Sequence, residues 1–423
     1  MVGIDASHHG ALMKLVCAKI PYPAAECDGR VIHISQTNSL IWDIFDECPM
    51  PNLSDYYSVL QFNDTFALGH YARVMDALDR RSNQTVAFKV LRAEHLAPGD
   101  EPRWEYRAFA NEAELLTKLS DDPRIVRLYD CGYVSSTSEA PEEGEIHSFG
   151  HDIVAFGHEL FDFAERGWRP YLALENLPRT ENLFYLMRPD RPGMRLRLPT
   201  EEGLALALQF GETLRLAHRH GIVYMDHKLE HVYWDGARLR VIDLNSSRQL
   251  EDGMRENAQY FRMDIHNLCV GILYPLFTGL SPQKSALRPQ PGSMTDVENR
   301  YRDITTLDFG VEPTLSESLQ AVLQRGAEMH IESADEFIVS LQQVGAGLGW
   351  DFPGVYTRPV NREARAQMKA GLSALRRGHD ALKEARDHFR EAAIQEGIDD
   401  DLEAELRRLV KAVNDMLQGR VIP

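Results

Sequence analysis

Between residues 66 and 92 the chain alternates apolar and polar positions. "FALGHYARVMDALD" and "QTVAFKVLR" are β-branched-containing runs joined by "RRSN", a pattern that predicts a hairpin. The following run, "RAFANEAELLTKLS", carries its apolar residues at helical spacing. "RIVRLYDCGYVSS" and "RPYLALENL" then read as two further strands. From residue 201 onward the periodicity is mainly helical, and "LCVGILYPLFTGL" at 268–280 is a buried helix, too short to cross a bilayer. Strand, strand, helix, strand, strand, then helices: this order predicts an α+β protein with a small β-rich lobe and a larger helical one. A cleft between two such lobes is where small ligands tend to bind.

The flanks read differently. Residues 1–57 form an N-terminal extension without an assigned role, in which "GRVIHISQTNSLIWDIF" suits a short strand and a helix. "ECPMPNLSDYY" reads as a linker by its Pro, Asn and Ser content. The main domain spans 58–346. Within it, residues 134–168 carry Glu139, Glu142, Glu143, Glu145, Asp152, Glu159, Asp162 and Glu165 with little opposing charge. That pattern predicts an acidic surface insertion, mobile at its start and helical at "VAFGHELFDFAERG". After a second break at 349–363, residues 360–423 are charged amphipathic helix almost throughout, a surface suited to a partner protein. Ala385, Phe389 and Ala392 have the spacing of the second helix of a tetratricopeptide repeat. Only half of that pattern matches, so a repeat-like hairpin and a plain helical bundle both remain open.

Charge narrows the classes. A formal net charge of −18 over 423 residues argues against a sequence-independent grip on nucleic acid or anionic lipid. Five irregularly spaced cysteines without a CxxC signal neither a disulfide framework nor a structural zinc site, although His8, His9, Cys17 and Cys27 leave one conceivable. No basic leader precedes the first apolar run, which Lys14 and Lys19 interrupt, so the expectation is a cytoplasmic protein.

From Phe62 to Val344 the chain resembles the protein kinase superfamily, and most closely the bacterial Ser/Thr kinases of eukaryotic type. "VAFKV", "NEAELLTKL", "GIVYMDHKLEHVYW" and "VIDLN" carry the resemblance. It implies a bilobal fold that binds ATP with Mg²⁺ or Mn²⁺. Lys89 would grip phosphates, and Glu112, four residues ahead of Leu116, would hold that lysine. Gly69 would lie in a covering loop whose outer glycines are here Ala67 and Ala72. Ala87 would lie at the adenine, Leu174 would stand at the gatekeeper position, and Glu175 to Leu177 would offer backbone groups. Asp226 would be the catalytic base, Lys228 would steady the transferred phosphate, and Asp243 would bind metal.

Several positions depart from the family pattern. Tyr224 stands in place of histidine, and Met225 replaces the arginine that would receive a phosphorylated activation loop. His231 occupies the place of the second-metal asparagine, where imidazole suits manganese or zinc better than magnesium. Asn245 replaces a glycine, tolerable because Asn accepts positive φ. Asp243 and Asp264, the latter at the start of the central helix, bound only 22 residues, with no Ala-Pro-Glu between them. His330 and Ile331 stand near the place of the arginine that would pair with that glutamate, so both halves of one buried ion pair are absent together. The expectation is a phosphotransferase acting on a protein or small-molecule hydroxyl. A pseudokinase scaffold is the alternative, and a small-molecule kinase the second alternative.

Overall fold

In the computed structural model, residues 50–62, 71–96, 104–187, 195–251, 257–282, 294–350, 377–393 and 400–418 are described. The chain divides into two units, Met1–Met50 and Pro51–Pro423. The expectations for "GRVIHISQTNSLIWDIF", for His8, His9, Cys17 and Cys27, and for Ala67 and Gly69 lie outside the described residues.

The alternating runs become one antiparallel sheet. Its strands are β1 (Tyr57–Phe62), β2 (Ala72–Asp79), β3 (Gln84–Leu91), β4 (Leu128–Val134), β5 (Ile146–Gly150) and β6 (Arg169–Glu175). Their order across the sheet is β1-β2-β3-β6-β4-β5. Asn83, at the end of "RRSN", adopts φ 54°, the left-handed turn geometry that Asn tolerates. One sheet face gathers Tyr57, Met75, Ala77, Val86, Phe88, Val90, Tyr171 and Ala173 into a core. Helix α1 (Trp104–Lys118) buries Tyr106, Phe109, Ala113 and Leu116, a stripe at helical spacing.

Two expectations are corrected here. "ECPMPNLSDYY" is not simply a linker: Leu53 is fully buried, its amide donates to the Gly144 carbonyl at 2.7 Å, and Tyr57 opens β1. The acidic insertion is anchored to the sheet at its start. Buried Arg169 donates to the carbonyls of Ser136, Ser138 and Leu91, and Glu139 pairs with Arg73 at 2.5 Å. β5, missed in the sequence because only five residues form it, adds an edge to the sheet. Behind it Phe156 and Phe163, from short helices Ile153–His158 and Leu160–Glu165, pack against Tyr133. Net charge dominated the reading of this stretch, but its aromatic residues decide its structure.

Asp130 ties the sheet together from within. Its carboxylate accepts from Tyr57 Oη at 2.6 Å, Tyr171 Oη at 3.0 Å, Arg81 at 2.8 Å, Ser148 Oγ at 2.7 Å and the Gly150 amide at 2.9 Å. Those donors come from β1, β6, the β2–β3 turn and β5, so one buried charge joins four parts of the lobe.

The second lobe is helical. It contains α2 (Thr200–Arg219), α3 (Asn257–Leu268), α4 (Glu317–Ala327) and α5 (Ala334–Gly347), with α5 packed on α2. α3 continues through a π turn, Cys269–Leu273, into Tyr274–Thr278, and this apolar stretch is buried as expected. Two short strand pairs sit below the cleft, β7 (Ile222–Val223) with β10 (Arg248–Gln249) and β8 (Val232–Trp234) with β9 (Leu239–Val241). Ile331 is buried while His330 lies at the surface beside Glu328. The tail is helical at 377–393 and in α6 (Asp400–Leu417). No helix among the described residues is long and apolar enough to cross a membrane.

Asp130→Ala removes the shared acceptor of Tyr57, Tyr171 and Ser148, while Arg81 keeps Asp79 as a partner. It is expected to cost about 1–3 kcal/mol, read as a lower urea midpoint at unchanged slope. Asp121→Ala on the exposed turn is expected to leave the midpoint in place.

Candidate active site

Alternation along β3 decides what enters the cleft. Val86, Phe88 and Val90 fill the core on one face, so Ala87 and Lys89 take the other. Lys89 Nζ lies 2.7 Å from Glu112 Oε2 on α1 and 2.7 Å from Asp243 Oδ1 beyond β9. Glu112 is fully buried and Lys89 nearly so. Burial alone would lower the lysine's pKa, but the charges of Asp243 and Glu112 outweigh it and hold the ammonium protonated. Burial likewise raises the Asp243 carboxyl, and the charges of Lys89 and His231 more than reverse this.

Asp226, Lys228 and His231 come from the loop between β7 and β8. Lys228 Nζ lies 2.8 Å from Asp226 Oδ2, and Arg300 Nη2 lies 3.1 Å from Asp226 Oδ1. Burial raises the Asp226 carboxyl, but Lys228, His231 and Arg300 together leave it below the ordinary carboxylate value. His231 Nδ1 faces the Asp226 carbonyl at 3.0 Å, while its Nε2 lies 3.1 Å from Asp243 Oδ2. The imidazole therefore bridges the two acidic turns.

The loop backbone is pinned from several directions. Asp264, at the middle of α3, accepts from the amides of Tyr224 and Met225 at 2.7 Å each and contacts His218 Nε2 at 3.1 Å. Ser247 Oγ donates to the Tyr224 carbonyl, Asn267 to that of Met225, and Tyr301 Oη to that of His227. Tyr224 packs between Phe210 and His227, and its hydroxyl reaches the Ile242 carbonyl at 2.8 Å. Met225 and Asp243 adopt φ 68° and 64°, strained values that this network over-determines. Asn245 has no positive φ, which corrects the reason given for tolerating it: the left-handed residue is Asp243, two positions earlier. Met225 packs with Val223, Leu250 and Val297, so an apolar cluster fills the place expected for a cationic switch.

β6 carries the next group of expected site residues. Leu174 pairs with Ala87 across β6 and β3, both bordering the cleft. Glu175 donates its amide to the Arg127 carbonyl at 2.8 Å and pairs its carboxylate with Arg240, so its amide is already used. Asn176 bonds Asp76, and half-buried Leu177 follows. Sequence reasoning missed three residues. The buried Tyr71 hydroxyl has no hydrogen-bond partner among the described residues, and burial, then Asp243 and Glu112, push its pKa up. Asn111 donates to the Ser247 carbonyl, coupling α1 to the turn that follows Asp243. Arg300 lies 57 positions beyond Asp243, with no local pattern to mark it.

A β-rich lobe over a helical one, with a lysine–glutamate pair facing two aspartate turns, defines a kinase-type fold. Residues 61–264 match the family described as protein kinase domain, and the sheet-rich and helical lobes are consistent with a protein-kinase-like fold. The match ends inside α3, so the later helices lie beyond it. Comparison with curated proteins finds no match.

Burial depresses the His227 imidazole, and Asp264 lies low because donors from His218 and the His227 charge outweigh its burial. A depressed histidine gives stability that is full above its unfolded value of about 6.5 and lost as pH falls below it. The depressed carboxylates add a second loss below about 3.9, the unfolded Asp value. The melting temperature is therefore expected to fall in two stages on acidification, and His227→Leu is expected to shrink the first, to which half-buried His147 also contributes, as followed by calorimetry between pH 8 and 3.

Proposed function

We propose that the protein is an ATP-dependent phosphotransferase of Ser/Thr type that moves a phosphoryl group to a hydroxyl acceptor. The supporting observation is the convergence of Lys89 with Glu112 and Asp243 at 2.7 Å. A cation held by carboxylates from both lobes is the grip that positioning-based phosphoryl transfer requires. ATP would supply the transferable group and a divalent cation would neutralise its oxygens. Asp226 is the assigned base, taking the proton of the acceptor hydroxyl, and Lys228 beside it balances charge on the transferred group. Ala87, Glu175 and Leu177 border the adenine side in this reading, and Gly69 belongs to the covering loop. The reading extends to a cytoplasmic protein whose helical tail, residues 360–423, engages a protein partner or substrate.

The donor set fits a divalent cation. His231 Nδ1 faces the Asp226 carbonyl and Nε2 lies 3.1 Å from Asp243 Oδ2, so a divalent cation would take the place of the Nε2 proton between the imidazole and the carboxylate. Two donors about 2.1 Å from one octahedral ion lie about 3 Å apart on adjacent corners. No group of three or more His, Cys, Asp or Glu side chains that could hold a metal occurs among the described residues. Phosphate oxygens and water would complete the shell. Imidazole favours manganese over magnesium. The capping of both Asp226 oxygens by Lys228 and Arg300 favours a second reading, a nucleotide-binding pseudokinase scaffold.

Radiolabel transfer from ATP to a generic protein acceptor and to the protein itself separates the readings. Label is expected with wild type, higher with Mn²⁺ than Mg²⁺, and reduced at least about 100-fold in Asp226→Asn, consistent with loss of a general base. The manganese preference is expected to shrink in His231→Asn. A thermal shift with ATP but no label in any metal would leave the scaffold reading.

A further inference from the structure

Residues 297–301 return to the Asp226 loop from far downstream. The chain runs from Asp243 through β10 to α3, and Asp264 is reached after 22 residues. That leaves no long segment to fold back over the Asp226 loop. A stretch far downstream, the turn after helix Met294–Glu298, comes back to it instead. Val297 joins the cluster around Met225 and Leu250. Glu298 pairs with Arg248 of β10 at 2.5 Å. Arg300 meets Asp226 Oδ1 at 3.1 Å. Tyr301 donates its hydroxyl to the His227 carbonyl at 2.9 Å, and its own carbonyl lies 3.0 Å from His266 Nε2 on α3. Consecutive residues thus anchor one turn to the Asp226 loop, the strand after the Asp243 turn and the central helix.

The packing around this turn leaves no slack. A Cβ on Gly271 would lie 2.7 Å from both the Tyr301 ring and the His227 carbonyl. Gly271 sits in the π turn of the central helix, where the backbone widens, so the helix can approach both groups at once. The charge logic is reversed from the switch expected in the sequence. There, an arginine on the Asp226 loop would wait for a phosphate on a mobile segment. Here Met225 makes the loop apolar, and the docked turn carries the arginine.

We infer that the turn 297–301 is a permanently docked substitute for an activation segment, with Arg300 as a positioning residue that fixes the Asp226 carboxylate, so the site needs no phosphorylation to assemble. The inference rests on the phosphotransferase reading for its kinetic consequence but not for the docking itself. One of the two Asp226 oxygens is held by Lys228 from its own loop, which moves with it. The other faces Arg300 from a separate element at 3.1 Å, so this ion pair ties the carboxylate itself, and not only the loop backbone, to the body of the lobe.

The test uses the full chain with Arg300→Met, Arg300→Lys and Tyr301→Phe, the last removing the hydroxyl that donates to the His227 carbonyl and lies against the Arg300 side chain. Hydrogen exchange is read on peptides covering 222–231 and 296–304, at matched melting temperature. Exchange in both peptides is expected to rise at least tenfold in Arg300→Met, to rise less in Tyr301→Phe, and to return toward wild type in Arg300→Lys. Unchanged exchange in 222–231 would overturn the docking. In the label-transfer assay, Arg300→Met is expected to lower kcat at least tenfold with the KM for ATP within twofold, and Arg300→Lys to restore part of it. Phosphatase treatment of wild type is expected to leave its rate unchanged. A raised kcat in Arg300→Met would overturn the positioning role and make the arginine a lid on the base. Were wild type to transfer no label at all, the phosphotransferase reading would fail while the exchange data still decided the docking.

Discussion

A lysine ammonium shared between two carboxylates is the contact on which the site depends. Lys89 belongs to the sheet, Glu112 to the helix packed on it, and Asp243 to the lower lobe. A buried cation without partners would neutralise or unfold its surroundings, and a buried carboxylate alone would fare no better. The three groups are therefore tolerable only together. This sets the angle between the lobes and keeps α1 close to the Asp243 turn. Asn111, one residue before Glu112, reinforces the coupling through the Ser247 carbonyl.

Below the cleft a second requirement holds. The Asp226 loop adopts strained dihedrals, and the backbone from Tyr224 to His227 is bonded from the central helix, the strand after Asp243 and the turn at Tyr301. Strain of this kind costs about 1–3 kcal/mol per residue and persists only where the surroundings dictate it. Loss of the expected arginine at 225 leaves no hole, because Val297, Leu250 and Val223 close over the methionine. A change that would disable a phosphorylation-gated enzyme thus coincides with a rebuilt apolar floor. His231 is rebuilt in a similar sense, since its imidazole joins Asp226 to Asp243 where the family pattern has an amide.

Much of this was legible in the sequence because the relevant signals are local. Alternation in "QTVAFKVLR" places Lys89 on a strand face, and the resemblance to the kinase family singles out Glu112 in "NEAELLTKL" as its partner. The spacing of Asp226, Lys228 and Asp243 marked two turns that the fold brings together. What escaped detection is long-range. Arg300 and Tyr301 act through a return of the chain that no periodicity announces. The Asp130 network gathers its donors from residues spread between 57 and 171. In the acidic stretch, glutamates drew attention from the aromatics that order it. The dihedral at the Asp243 turn also escaped, because a substitution at 245 says nothing of strain at 243.

The proposed function requires a nucleotide phosphate site around Lys89. An ATP analogue bearing a reactive acyl phosphate transfers its acyl group to lysines at the phosphate pocket, and mass spectrometry of the digested protein locates the label. Label on Lys89, with a lesser share on Lys228, both suppressed by excess ATP, is the result the account predicts. Labelling that ignores competing ATP, or that falls on surface lysines while sparing Lys89, would contradict it.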